Sequence, residues 1–144
     1  MKYVLLDYPL SIHKLAFKAA EAAHCPGEQE KYWEMHDRLF ANQTSLEPWN
    51  AHAEALGLDV PRFEECLTAG KYLDGIRRNM AEGRKAGLTG TPVSFLAYTD
   101  PSSSTVKTVI RVTGAQPFSN FKVQIDKLLA RQPAAGGETV ERPK

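Results

Sequence analysis

Six side chains and one turn make up what this chain offers for chemistry. Cys25 and Cys66 are its two cysteines, and His13, His24, His36 and His52 its four imidazoles. Dithiol chemistry needs a thiolate and a second thiol close enough to resolve a mixed disulfide, which a Cys-x-x-Cys spacing at a helix N-terminus supplies. Cys25 and Cys66 stand far apart, so no catalytic pair is assigned to them. Two roles stay open. A structural disulfide would close a loop of about 41 residues and stabilise the fold by roughly 4 kcal/mol in chain-entropy terms. Reduced, the two would be small buried apolar residues, the usual state in a reducing cytosol. The histidines show no spacing with Cys, Asp or Glu that closes a metal site, so neither a metal nor another cofactor is expected. His36 lies on the apolar side of its helix and reads as a hydrogen-bonded core residue.

The turn is Gly90-Thr91-Pro92-Val93-Ser94-Phe95, which runs from a helical region straight into an apolar strand. An X-Pro bond costs only about 0.5–1 kcal/mol to be cis, and a cis proline usually marks a fixed, tight turn. A trans proline opening a strand, where it loses no ladder hydrogen bond, is the other reading.

Around these residues the hydrophobic pattern predicts the elements that must hold them. Lys2 to Leu6 reads as a short strand, apolar on both faces as in parallel sheet. Ser11 is a candidate N-cap for a helix from about Ile12 to Ala23. Cys25-Pro26-Gly27 breaks it, and Glu28 opens another reaching about Ala41, with Tyr32, Met35, His36 and Leu39 inward and Trp33 and Phe40 widening the buried face. A short helix from Trp49 ends at Gly57, and Asp59 caps the next, with Val60, Phe63, Cys66 and Leu67 inward. After Gly70 a helix runs from Lys71 to Ala86 with Leu73, Ile76 and Met80 inward. Trp33, Trp49 and Tyr72 could anchor a partner of the helical insertion, but at helical spacing such aromatics are more often core. The basic run Arg77, Arg78, Arg84 and Lys85 reads as a solvated face offset by Asp74 and Glu82. Val93 to Tyr98 and Val106 to Val112 form an antiparallel hairpin across the turn residues Asp100 to Ser104. A last helix carries Phe118, Phe121, Ile125, Leu128 and Leu129. From Gln132 onward the composition cannot build a core, and residues 132–144 read as a disordered tail.

The 144 residues suit one domain, placed at 1–131, and their net charge of +1 gives no electrostatic reason to expect nucleic acid or an anionic membrane. No run approaches membrane-spanning length. The apolar start Tyr3 to Leu6 is cut short by Asp7 and Pro9, so no secretory signal is read. The expectation is a cytoplasmic product as written, or a periplasmic or extracytoplasmic one if the true start lies upstream.

Strand, helical insertion over about residues 11–88, proline turn, hairpin and helix is an ordered set of motifs that resembles a known family. From Asp7 to Gln43 the text DYPLSIHKLAFKAAEAAHCPGEQEKYWEMHDRLFANQ resembles the DsbA-like thiol:disulfide oxidoreductase branch of the thioredoxin superfamily. So does Phe63 to Phe95, where Phe63, Cys66, Leu67, Glu82-Gly83-Arg84 and Gly87 precede Gly90-Thr91-Pro92. The resemblance implies an α/β, truncated thioredoxin-like fold and a cis Thr91-Pro92 bond. It also implies that Cys25 and Cys66 are close in space, since some relatives bridge these positions. Such proteins carry a further strand and a Cys-x-x-Cys helix before the equivalent of Lys2 to Leu6, and neither is present here. The family's catalytic cysteines are therefore not carried over.

The expected function is a non-catalytic module that binds an extended peptide or unfolded protein at Gly90, Thr91, Pro92 and Val93, or that assembles with other chains. Two alternatives are an oxidoreductase whose active-site segment lies outside this chain, and a purely structural homo-oligomer. In the thioredoxin fold the missing strand would lie between Lys2 to Leu6 and Val93 to Tyr98. Its vacancy leaves strand edges that attract another strand. The first strand could move into it, a second copy could supply a strand, or the product could be a remnant that folds poorly; the expectation is a homodimer joined through this sheet or through the face the lost helix would have covered.

Overall fold

The computed structural model describes residues 2–99 and 106–131. The tail at 132–144 and the loop at 100–105 lie outside the described residues. The chain divides into two compact units, residues 1–89 and 90–144.

The first unit is helical. Its elements are α1 (Ala16–His24), a 3-10 turn (Cys25–Gln29), α2 (Tyr32–Ala41), α3 (Trp49–Ala55), α4 (Val60–Ala69) and α5 (Leu73–Lys85). Local chemistry accounts for several boundaries. Asp59 accepts a hydrogen bond from the Arg62 amide at 3.1 Å, satisfying one of the free donors of the first turn of α4. Gly70 ends that helix in the left-handed region, with φ of 62° and its amide returned to the Cys66 carbonyl. A residue with a Cβ would be strained there.

Four expectations are corrected over the first forty or so residues. Residues 2–10 carry no strand or helix. A strand exists only through its neighbour, and among the described residues nothing pairs with Lys2 to Leu6. Ser11 does not cap a helix. The chain first makes two turns, His13 amide to Leu10 carbonyl and Ala16 amide to His13 carbonyl at 3.0 Å each, and α1 begins only at Ala16. Glu28 lies inside the 3-10 turn, which Glu30 ends with φ of 59°, so α2 begins at Tyr32. Trp33 and Phe40 are 47% and 63% exposed, on the outer side of α2 rather than in its buried face.

The core lies between α1, α2, α3 and α4. Ala22 and Ala23 let α1 approach Met35 and Leu39 of α2, while Phe63 and Leu67 of α4 and Ala53 of α3 close the other sides. Phe63, Met35 and Ile76 are essentially fully buried. Truncating such a side chain costs about 3–5 kcal/mol for a phenylalanine and 2–5 for a methionine or isoleucine. Outside the core, the Tyr8 hydroxyl donates to the Leu88 carbonyl at 3.0 Å, and Lys18 Nζ donates to the Leu67 carbonyl at 2.8 Å. The first bond ties the N-terminal segment to the end of α5, the second α1 to α4.

The second unit is a hairpin with a helix: β1 (Val93–Thr99), β2 (Val106–Thr113) and α6 (Phe118–Arg131). The strands are antiparallel, with Val93 opposite Thr113, Phe95 opposite Arg111 and an irregularity between Leu96 and Ala97. They form a two-stranded sheet. Phe121, Ile125 and Leu128 are half-buried, whereas Phe118 and Leu129 are 77% and 60% exposed.

Candidate functional site

The proline turn is built by the hairpin that follows it. The Thr91–Pro92 peptide bond is cis. The Pro92 carbonyl accepts from the Gly114 amide at 2.9 Å, one step beyond the Val93–Thr113 pair. Gly114 reaches that position with φ of 80°, a conformation that favours glycine. The ladder thus extends past β1 and clamps the turn from one side. Thr91 and Pro92 are exposed and Val93 half-buried. A Cβ on Gly90 would meet nothing within 4 Å, so that residue leaves open space at the entrance to the turn. Among the described residues no strand pairs with the second edge of β1.

Cys25 and Cys66 form a disulfide with Cα atoms 5.8 Å apart. Both are buried, at 2% and 7% exposure, in the cluster that also holds Ala22, Met35, Phe63 and Leu67. The bond fastens the 3-10 turn to α4. Both cysteines belong to the first unit, and the second unit contains no cysteine.

The histidines hold structural positions that their spacing did not reveal. His24 bonds through Nε2 to Asp7 Oδ2 at 2.7 Å, and its ring stacks on Tyr72 at 5.1 Å between centroids. Asn79 donates to the same carboxylate oxygen at 3.5 Å. His52 is 5% exposed, accepts from Arg38 Nε through Nδ1 at 3.2 Å, and meets the Ser45 and Leu46 carbonyls through Nε2 at 3.2 and 3.1 Å. Those partners require Nε2 to carry the proton. His36 is half-buried and bonds to Asp37 Oδ1 at 2.9 Å, and His13 is exposed. Among the described residues no group of His, Cys, Asp and Glu is placed to hold a metal ion.

One polar hub joins the 3-10 turn to α4 and α5. Glu28 meets Lys71 Nζ at 2.5 Å, the Tyr72 hydroxyl at 3.2 Å and Arg62 at 3.5 Å. The bond from Lys71 holds the Glu28 carboxyl below its ordinary value and raises the lysine in return. Tyr72 is raised by its burial and by the bond to Glu28. Burial, with Asp7 and Tyr3 nearby, pushes the Tyr32 phenol up to about 12. These shifts belong to packing and ion pairing in the first unit.

Among relatives, the Na(+)/H(+) antiporter NhaA 3 of Salinispora tropica is 37% identical over 99 residues, covering 67% of this chain and 15% of its own length. An Na(+)/H(+) antiporter NhaA 1 of Mycobacterium sp. is 34% identical over 100 residues, 65% of this chain and 16% of its own. An Na(+)/H(+) antiporter NhaA of Herminiimonas arsenicoxydans is 31% identical over 99 residues, again 16% of its length. The chain thus spans about one-sixth of the curated relatives it matches. No solved structure matches it. Residues 1–100, from the N-terminal segment through the proline turn and β1, match the family described as thioredoxin. With a match over more than half its length, and a mixed α/β architecture of helices and a small antiparallel sheet, the chain belongs to the thioredoxin family.

Proposed function

We propose that this chain is a non-catalytic, DsbA-like thioredoxin-fold module that captures an extended peptide along β1 beside Thr91 and Pro92. One observation carries the reading: among the described residues β1 is paired on one side only, directly after an exposed, clamped proline turn, in a unit without a cysteine. An extended peptide added there gains main-chain hydrogen bonds from a preformed edge, and the half-buried Val93 side chain offers it an apolar contact. The buried Cys25–Cys66 bond serves as a staple, since a redox-active sulfur must be reachable by its partner. The relatives' names suggest a setting in which such a module accompanies an Na(+)/H(+) antiporter, with the matched stretch as their thioredoxin-like portion.

Two measurements test this. Titrating the isotope-labelled chain with a reduced, carboxymethylated unfolded protein is expected to shift the amide resonances from Thr91 to Leu96. Shifts confined to other residues, or none at millimolar peptide, would sink peptide capture at this edge. In an insulin reduction assay with dithiothreitol, the chain and its Cys25→Ser, Cys66→Ser double variant are both expected to show background rates. Activity that vanishes in the double variant would show the distant cysteines to be catalytic.

A further inference from the structure

The hairpin ladder decides which main-chain groups β1 turns outward. Gly114 donates to the Pro92 carbonyl, so Pro92 and Gly114 form a hydrogen-bonded pair. Bonded and non-bonded pairs alternate in an antiparallel ladder, so the register makes Ser94–Val112 and Leu96–Ile110 the next bonded pairs. Val93 and Phe95, on either side of Ser94, therefore direct their N–H and C=O groups away from β2. Among the described residues no strand meets that edge. Phe95 is 43% exposed and shares a face with the half-buried Val93, while Ser94 and Leu96 are half-buried on the other face. The regular stretch ends at the irregularity between Leu96 and Ala97.

We propose that a second copy of this chain pairs with that edge, β1 against β1, antiparallel and with Ser94 on the two-fold axis. An axis perpendicular to the sheet maps each face onto itself, so it allows only opposed residues of equal parity. Setting Ser94 opposite Ser94 meets that condition and places Val93 opposite Phe95 and Pro92 opposite Leu96. Val93 and Phe95 then bond across the interface through the main-chain groups they already turn outward. Pro92, which has no N–H, falls at a non-bonded position that needs none. On one face Val93 meets Phe95 twice, an aliphatic–aromatic pair, and on the other serine meets serine and Pro92 meets Leu96. Moving the axis to Val93 or Phe95 keeps equal parity but sets Ser94 against Pro92 or Leu96. The Ser94 register alone matches apolar with apolar and serine with serine from Pro92 to Leu96.

The result is a four-stranded sheet, in the order β2, β1, β1, β2, and its isologous contact closes on itself. Pro92 to Leu96 of each copy is a short contact, below the roughly 1,200 Å² of a stable interface, which makes the dimer a weak one. The edge it occupies is the one to which peptide capture is assigned above. The dimer does not depend on that capture. A bound peptide and a second copy exclude each other, so the dimer is the closed state of the site.

Cross-linking tests the register in the oxidised full chain, where both native cysteines are bonded to each other. Ser94→Cys sets two thiols at a non-hydrogen-bonded pair, with Cα atoms about 4.5 Å apart and within disulfide reach. Phe95→Cys sets them on a diagonal about 7–8 Å apart, beyond that reach. Under oxidised glutathione S94C is expected to form covalent dimer at least about tenfold faster than F95C, although Phe95 is the more exposed residue. Sedimentation velocity on the parent is expected to show a monomer–dimer equilibrium at high micromolar concentration, which Phe95→Lys removes. A parent that stays monomeric up to millimolar concentration overturns the proposal. So does a dimer that F95K leaves intact, or an F95C that links as fast as S94C. If F95K fails to fold, the two cysteine variants decide. Register-specific cross-linking without peptide-induced shifts from Thr91 to Leu96 sinks capture and leaves the dimer standing.

Discussion

Glu28 gathers Lys71, Tyr72 and Arg62 around one carboxylate, and its bond from Lys71 makes those contacts sensitive to pH. Its folded-state pKa lies below the ordinary 4.5. The stability it supplies is therefore present above pH 4.5 and is lost as pH falls through the lowered value. Glu28→Gln is expected to flatten the acid limb of the stability curve, read as urea midpoints compared at pH 7 and pH 3. His52 makes the second residue-scale case. Its imidazole accepts from Arg38 and donates to two loop carbonyls. His52→Phe is expected to destabilise by about 1–3 kcal/mol, the cost of stranding buried polar groups, measured by denaturant unfolding. Nitrogen-15 correlation spectra of the parent should show the proton on Nε2.

At the scale of elements, the meeting of Tyr8 with α5 reverses an ordinary rule. A mid-helix Gly→Ala change usually gains about 1 kcal/mol. At Gly83 the new Cβ would lie 2.6 Å from the Tyr8 ring, which its hydroxyl bond to Leu88 holds in place. Gly83→Ala is thus expected to lower the unfolding midpoint, and adding Tyr8→Ala to recover part of the loss. The Cys25–Cys66 bond is the other element-scale constraint, closing a separation of 41 residues. Reduction, or Cys25→Ser with Cys66→Ser, is expected to cost roughly 4 kcal/mol in thermal unfolding.

These same elements divide what the sequence makes legible from what it hides. The caps at Asp59 and Gly70, the inward side of α4 and the hairpin follow from local pattern, because each depends on residues a few positions apart. Ser11 has the chemistry of a cap, yet the turns at Leu10 and His13 use up that stretch, so α1 starts only at Ala16. Trp33 and Phe40 share the apolar spacing of α2 yet lie outside, because spacing alone cannot say how wide the neighbouring helices are. The Asp7–His24 and Arg38–His52 pairs were invisible for a different reason. Their partners lie 17 and 14 positions apart on different segments, beyond any helical or strand spacing.

For the whole molecule, the division into two units carries an unequal distribution of core. Every residue of the buried cluster, and the disulfide, belongs to residues 1–89. Among the second unit's residues with described burial, none is fully buried. Local stability follows buried apolar contact, so amides of β1, β2 and α6 are expected to exchange with solvent faster than those of α1, α2 and α4. A fragment of residues 1–89 should keep the helical circular dichroism and a cooperative thermal transition. Loss of that transition in the oxidised fragment would show the first unit to depend on the second.

The disulfide has a further consequence, for anyone wishing to watch this protein at work. It occupies both cysteines of the chain and buries them, so the folded, oxidised protein presents no reactive thiol. One cysteine introduced at exposed Thr91 would be a unique attachment point. A dye or spin label placed there would report from the proline turn alone, against a silent background.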